Sequence, residues 1–317
     1  MGLRMWRTNG VSVSFEGKKG YFDVVYGNDS ESQKLDVWLP EGEGPFPAII
    51  SIHGGGFIAC DKRQGDMITP MLAGLNRGIA VIGLNYRLST EAHFPDPVKD
   101  IKQAIRFIKA HADKWNIDSD KLVTWGGSAG AYYTLMSCLF TDDTEFDNQE
   151  DPNVNISAKL AGGIAWYPVT DFPTLDAELR VNSVINKFCR KEIIDKNDEY
   201  EPAFPQMEDG EFPFHDDPNS VDAMFVGDST VSERAKHVSP IYKIHKDMLP
   251  IFVQHGSCDE ILPMEQSVRF MLKANDVCGE ERVKLEIIPN AIHSSVLFET
   301  KENIDKCLDF IEDITSK

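Results

Sequence analysis

The sequence predicts an α/β protein: a mostly parallel central sheet with helices on both faces and an inserted cap or lid segment. Two observations carry this. Strand-like and helix-like runs alternate through most of the chain, the pattern of parallel strands joined by helical crossovers. One long stretch, residues 171–238, breaks that rhythm. It is rich in proline, phenylalanine and acids ("EYEPAFPQMEDGEFPFHDDPNS"), and its length predicts a cap rather than a structureless loop. A single domain over residues 1–317 carrying this insertion is expected.

The elements follow in order. "YFDVVYG" and "KLDVWLP" read as two early strands, an antiparallel start. "PAIISIHGG" is a short apolar run ending in glycines, as a buried strand requires, and "GIAVIGLNYRL" is another. In the segment after Phe94, Val98, Ile101, Ile105, Ile108, Ala112 and Trp115 recur at helical spacing, with Asp96 as the expected N-cap and Pro97 at the first helical position. "KLVTWGG" predicts a strand and "SAGAYYTLMSCLF" a helix. "KLAGGIAWYPV", "LPIFVQHG" and "VKLEIIPN" predict three further strands, with amphipathic helices over "PMEQSVRFMLKAND" and "NIDKCLDFIEDI". The acidic run "TDDTEFDNQED" (141–151) reads as an exposed loop, and its spacing matches no calcium-binding loop.

Composition narrows the function classes. With 42% hydrophobic and 26% charged residues the chain is ordinary for a globular protein. A formal net charge of −19 argues against nucleic acid and anionic membrane surfaces as partners, since a phosphate backbone would be repelled. No apolar run reaches a membrane span, and "MGLRMWRTNG" lacks a signal-like apolar stretch, so a cytoplasmic location is expected. The six cysteines are scattered without a C-x-x-C pair, which favours free thiols over a disulfide frame or zinc site. A homo-oligomer stays open.

The chemistry centres on Gly126-Gly127-Ser128-Ala129-Gly130. G-x-S-x-G between a strand and a helix is the nucleophile elbow of α/β-hydrolases, in which a strained turn lifts the serine hydroxyl above the sheet. "HGGGF", His53 to Phe57, follows a strand and matches the esterase motif that supplies oxyanion donors. The N–H groups of Gly55, Gly56 and Ala129 are the expected donors, with Gly54 as an alternative, and His53 is expected to hold the loop's shape. Of the eight histidines, His293 lies just after a late strand, where this fold returns a base to the serine. Asp259, in "HGSCDEILP", is the expected orienting acid, with Glu260 as its rival and His255 shaping the turn. The order Ser128, Asp259, His293 is the order of this fold.

The sequence resembles the HGGG-type carboxylesterases of the α/β-hydrolase superfamily. It is similar to the hormone-sensitive-lipase-like and the acetyl-esterase/feruloyl-esterase-like bacterial groups. The matching stretches are "HGGGF", "NYRLSTEAHFPDPVKD", "GGSAGA", "YPVTDF", "SPIY", "HGSCDEILPMEQS" and "IHSS", from about residue 47 to 298. Two departures favour the acetyl/feruloyl-esterase-like branch. Lipase-like members usually carry an acid where this chain has Gly127, and they carry a long N-terminal cap where about 20 residues precede the first strand here. The resemblance implies a serine esterase without metal or organic cofactor, acting on short-chain acyl, acetyl or hydroxycinnamoyl esters of small molecules or plant carbohydrate fragments. Phe57, Phe212 and Phe214 are expected to contact substrate. Arylformamidases share an HGGG-like loop and an S-A-G-A elbow, so amide hydrolysis is the alternative reaction. A non-catalytic binding module of the same fold is the alternative from another class.

Overall fold

The computed structural model describes Ser14 and residues 16–140, 143–182 and 215–316. Among these, eight strands form one sheet: β1 (Gly20–Val25), β2 (Lys34–Trp38), β3 (Phe46–Ile52), β4 (Ala80–Leu84), β5 (Ile117–Gly127), β6 (Gly162–Trp166), β7 (Ile251–Gly256) and β8 (Val283–Ile288). Their spatial order is β1-β2-β4-β3-β5-β6-β7-β8. β2 pairs antiparallel with both β1 and β4, and the remaining pairings are parallel. Each strand falls on a run expected from the sequence. The order turns back on itself between β3 and β5, and such a switch point opens a crevice at the carboxyl ends of the strands.

Alternation along the strands divides the core between two faces. Ala48, Ile50 and Ile52 of β3 join Ala80, Ile82 and Leu84 of β4 on one face. That face is covered by helices α2 (Asp96–Ala110), α4 (Ala129–Leu139) and α8 (Glu265–Cys278). Ile49, Val81, Val123 and Trp125 point the other way, under α1 (Gly65–Leu72) and α9 (Lys301–Thr315). Burial on both sides explains why the strands read as near-continuous apolar runs. The short helix α3 (Ala112–Trp115) precedes β5. The stretch "NYRL" pins α2 to the exit of β4: Arg87 donates to both oxygens of buried Asp100, at 2.9 and 2.7 Å.

Two local expectations are corrected. α2 takes Pro95, not Asp96, as its N-cap, so Asp96 is already helical. Its carboxylate lies near Arg87 and Lys99 instead of capping a backbone N–H. The described part of the acidic run, residues 143–151, expected as an exposed loop, is exposed at 143–145 and 149–150 but packs against α2 through Phe146 and Asp147. Asp147 forms ion pairs with Lys102 and Arg106 at 2.7 and 2.8 Å, and Phe146 is buried. The two cations stand four residues apart on one helix face, which is why a single carboxylate meets both.

The described parts of the 171–238 segment comprise helical residues 175–182 (α5), α6 (Val221–Val226) and α7 (Glu233–Val238). No helix among the described residues is long and apolar enough to cross a membrane.

Candidate active site

β5 ends at Gly127 and α4 starts at Ala129, leaving Ser128 alone at the corner with φ 56° and ψ −122°. A side-chain-bearing residue rarely adopts this backbone, and it persists only where the surroundings enforce it. Those surroundings explain the flanking glycines. A Cβ on Gly130 would lie 2.0 Å from the Ile52 carbonyl oxygen, and one on Gly126 would lie 2.5 Å from the Gly130 backbone. The corner can therefore close against the end of β3 only with hydrogen at both positions. Ser128 N–H is held by the Trp166 carbonyl at 3.0 Å, which fixes the turn.

His293 sits in the loop between β8 and α9, and Asp259 in the turn after β7. These loops are joined along their backbones. Ser257 N–H donates to the Ile288 carbonyl, Cys258 N–H to that of Ala291, and Asn290 N–H to Ser257 Oγ. The loops approach so closely that a Cβ on Gly256 would lie 2.2 Å from the Ala291 oxygen. The result is a buried hydrogen-bonded row. Ser128 Oγ is 3.1 Å from His293 Nε2, and His293 Nδ1 is 2.8 Å from Asp259 Oδ2.

Asp259 is held on every side. Its Oδ1 accepts from Ile261 N–H and Leu262 N–H, both at 2.9 Å, and His255 Nε2 lies 3.3 Å from Oδ2. Burial alone would push this carboxyl upward, but the facing imidazoles of His293 and His255 outweigh it and hold Asp259 well below the usual carboxylate range. His255 also reaches Ser267 Oγ at 2.7 Å and the Leu262 carbonyl at 2.8 Å, so it shapes the acid's turn.

The glycine loop lies alongside. Gly55 and Gly56 have φ of 103° and 57°, and the Gly55 carbonyl accepts from Ile58 N–H and Ala59 N–H. A Cβ on Gly54 would come 2.8 Å from the Gly127 oxygen and 3.4 Å from Ser128 Cβ, which puts the loop against the elbow. Ala129 is the first residue of α4, so its N–H has no acceptor within the helix. His53 is buried, stacks on Tyr86 at 4.5 Å and reaches the Gly54 carbonyl through Nδ1 at 2.9 Å. Burial lowers its pKa to about 4, so it is neutral at pH 7 and braces the loop.

Phe57, expected to contact substrate, packs within an aromatic cluster. The ring is 2% exposed, stacks on Phe225 with centroids 4.0 Å apart, and meets the edges of Tyr132 and Tyr133. Phe225 comes from the 171–238 segment, and Phe172 of the same segment joins the cluster. Phe57 therefore anchors that segment. Phe212 and Phe214 lie outside the described residues.

Sequence reasoning missed Tyr167. It follows β6 with φ 42°, and its ring packs edge-on against His293. Its hydroxyl stands at the point toward which a side chain at position 127 would project. Its local signals were the stretch "YPVTDF" that it opens and the pair of a glycine in the elbow with an aromatic residue closing the next strand.

The sheet order, the serine corner and the joined acid and histidine loops define an α/β-hydrolase. The BD-FAE family model matches residues 35–273, and the chain belongs to that family. It is 25% identical over 270 residues to LipM of Mycobacterium tuberculosis, described as a probable carboxylic ester hydrolase, covering 84% of this chain and 54% of that protein. The chain thus spans about half the length of the relatives it matches. Among solved structures it resembles a truncated carbohydrate esterase from gut microbiota, with TM-score 0.76 and 20% identity over 97% of this chain and 100% of that one. It also resembles an acetyl ester-xyloside bifunctional hydrolase from Caldicellulosiruptor lactoaceticus, with TM-score 0.64 and 22% identity over 91% and 90%.

Proposed function

We propose that the protein is a serine carboxylic-ester hydrolase working through an acyl-enzyme. One observation carries this reading: the buried row from Ser128 Oγ through His293 to Asp259. In this mechanism Ser128 attacks the ester carbonyl as its proton passes to His293 Nε2. Asp259 keeps the proton of Nδ1 in place and stabilises the imidazolium that forms. The N–H groups of Gly55, Gly56 and Ala129 receive the charge on the tetrahedral oxygen. His293 then protonates the departing alcohol. In the second half it takes a proton from water, whose oxygen attacks the acyl carbon and releases the acid and free Ser128.

The proposed substrates are short-chain acyl, acetyl or hydroxycinnamoyl esters, including those on carbohydrate fragments. Support for the carbohydrate side comes from two fold neighbours whose descriptions name carbohydrate or acetyl-xyloside chemistry. We place residues 171–238 as a cap inserted into a single domain, anchored through Phe172 and Phe225.

A fluorophosphonate probe tests the chemistry directly. It is expected to label Ser128 in the intact protein and not in Ser128→Ala. Turnover of p-nitrophenyl esters of increasing chain length, beside acetylated and feruloylated oligosaccharides, then ranks substrates. Absence of labelling together with absence of ester turnover would reject the proposal.

A further inference from the structure

We infer that His215 is a positioning residue: as an imidazolium it ties the cap segment to the turn that carries the triad's acid. The inference deepens the esterase reading and rests on it. Nδ1 of His215 lies 2.6 Å from Asp222 Oδ2 of α6, and Nε2 lies 3.0 Å from the Ile261 carbonyl. Both partners are acceptors, a carboxylate and a carbonyl. A neutral imidazole has one N–H and would set a bare lone pair against one of them. Only the doubly protonated ring satisfies both contacts.

The ring is nearly sealed, with His215 and Asp222 side chains 3% and 7% exposed. Water is therefore a poor substitute partner, and an unmet acceptor there is costly. The charged groups that face it come from α5 and α6. Asp222 bonds the ring, and Asp176 of α5 accepts from the backbone N–H groups of His215 and Asp216. From the core side the facing group is the Ile261 carbonyl, one residue beyond Glu260 and two beyond Asp259. Burial opposes the imidazolium, but Asp222 and then Asp176 outweigh it, raising the pKa of the ring above the usual histidine value.

The mechanical connection is short. Ile261 receives His215 on its carbonyl and gives its own N–H to Asp259 Oδ1 at 2.9 Å. One peptide unit on either side of Ile261 thus separates the cap's returning strand of chain from the carboxylate that orients His293. Loss of the His215 contact frees the turn to shift, and the orientation of Asp259 shifts with it.

The test uses the full chain with His215→Gln and Asp222→Asn, followed by pH profiles of kcat and KM and by 15N-detected NMR of the histidine rings. The tie predicts His215 with both ring nitrogens protonated at pH 7. It predicts a fall in kcat of at least about tenfold in His215→Gln with KM little changed, the signature of a misplaced catalytic group. It also predicts an alkaline decline in wild-type kcat that moves to lower pH by about one unit or more in Asp222→Asn, which has lost the opposing charge. A singly protonated His215 at pH 7 would overturn the inference, as would a folded His215→Gln with wild-type kcat and pH profile. If Ser128 in the wild-type chain takes no fluorophosphonate label, the esterase reading fails by itself, and the NMR result still decides the state of His215.

Discussion

The Tyr167 hydroxyl lies 2.7 Å from the point where Gly127 would carry a Cβ. The same ring packs against His293 with centroids 4.7 Å apart. A side chain at position 127 and the present pose of Tyr167 are therefore mutually exclusive. Gly127→Ala should push the phenol onto His293 and lower kcat/KM at least tenfold. Adding Tyr167→Phe removes the closest clashing atom and should recover part of that loss, although ring carbons remain at 3.0 and 3.1 Å. A double-mutant cycle on kcat/KM measures the coupling, and simple additivity would show that the two residues act separately.

The row of Ser128, His293 and Asp259 acts as a unit in the proposed mechanism. Ser128→Ala and His293→Ala should each lower kcat by roughly 10⁴- to 10⁶-fold with the circular dichroism spectrum retained. Asp259→Asn should cost less than either. A tenth of wild-type activity in His293→Ala would mean that another group serves as base.

His53 supplies a pH dependence of stability. It is buried neutral, with its pKa lowered to about 4 from the ordinary 6.5. Between those values the unfolded chain binds a proton that the folded chain refuses. The contribution is therefore complete above pH 6.5 and is lost as pH falls toward 4, amounting to about 3 kcal/mol over the window. Urea unfolding from pH 7 to 4 measures the slope. His53→Phe, which keeps an aromatic ring against Tyr86, should flatten it.

Phe225 joins the 171–238 segment to the glycine loop through its stack on Phe57. Phe225→Ala should cost roughly 3 to 5 kcal/mol of stability, the usual range for deleting a buried phenyl ring. Since Phe57 is buried rather than lining a pocket, the effect on kcat/KM should be similar for acetyl and hexanoyl esters. A selective loss on one ester would place the cluster nearer the acyl group than its burial suggests.

The strands and the serine corner were legible because their physics is local. An apolar run ending in glycines has few alternatives, and Gly126 and Gly130 are required by backbone contacts within a few residues of Ser128 or at the end of the neighbouring strand. α1 was not expected, since "GDMITPML" follows Gln64, which provides no side-chain cap, and contains Pro70. Its helical state comes from burial of Ile68 and Met71 against the sheet. The packing of Phe57 left no local sign for a related reason. The ring that stacks on it, Phe225, lies far along the chain. His215 left no local sign, because its ring partner on the core side lies 46 residues away.

The hydrogen bond from Ser128 to His293 spans 165 residues of chain. Three parallel pairings, β5 with β6, β6 with β7 and β7 with β8, must be in register before the two groups can meet. Such non-local closures are slow, because the chain loses loop entropy before the contacts that compensate it exist. During refolding, helical content should therefore return before reactivity of Ser128 toward a fluorophosphonate. That reactivity is a clock for the last stage of sheet assembly, one that ordinary spectroscopic probes of secondary structure do not read.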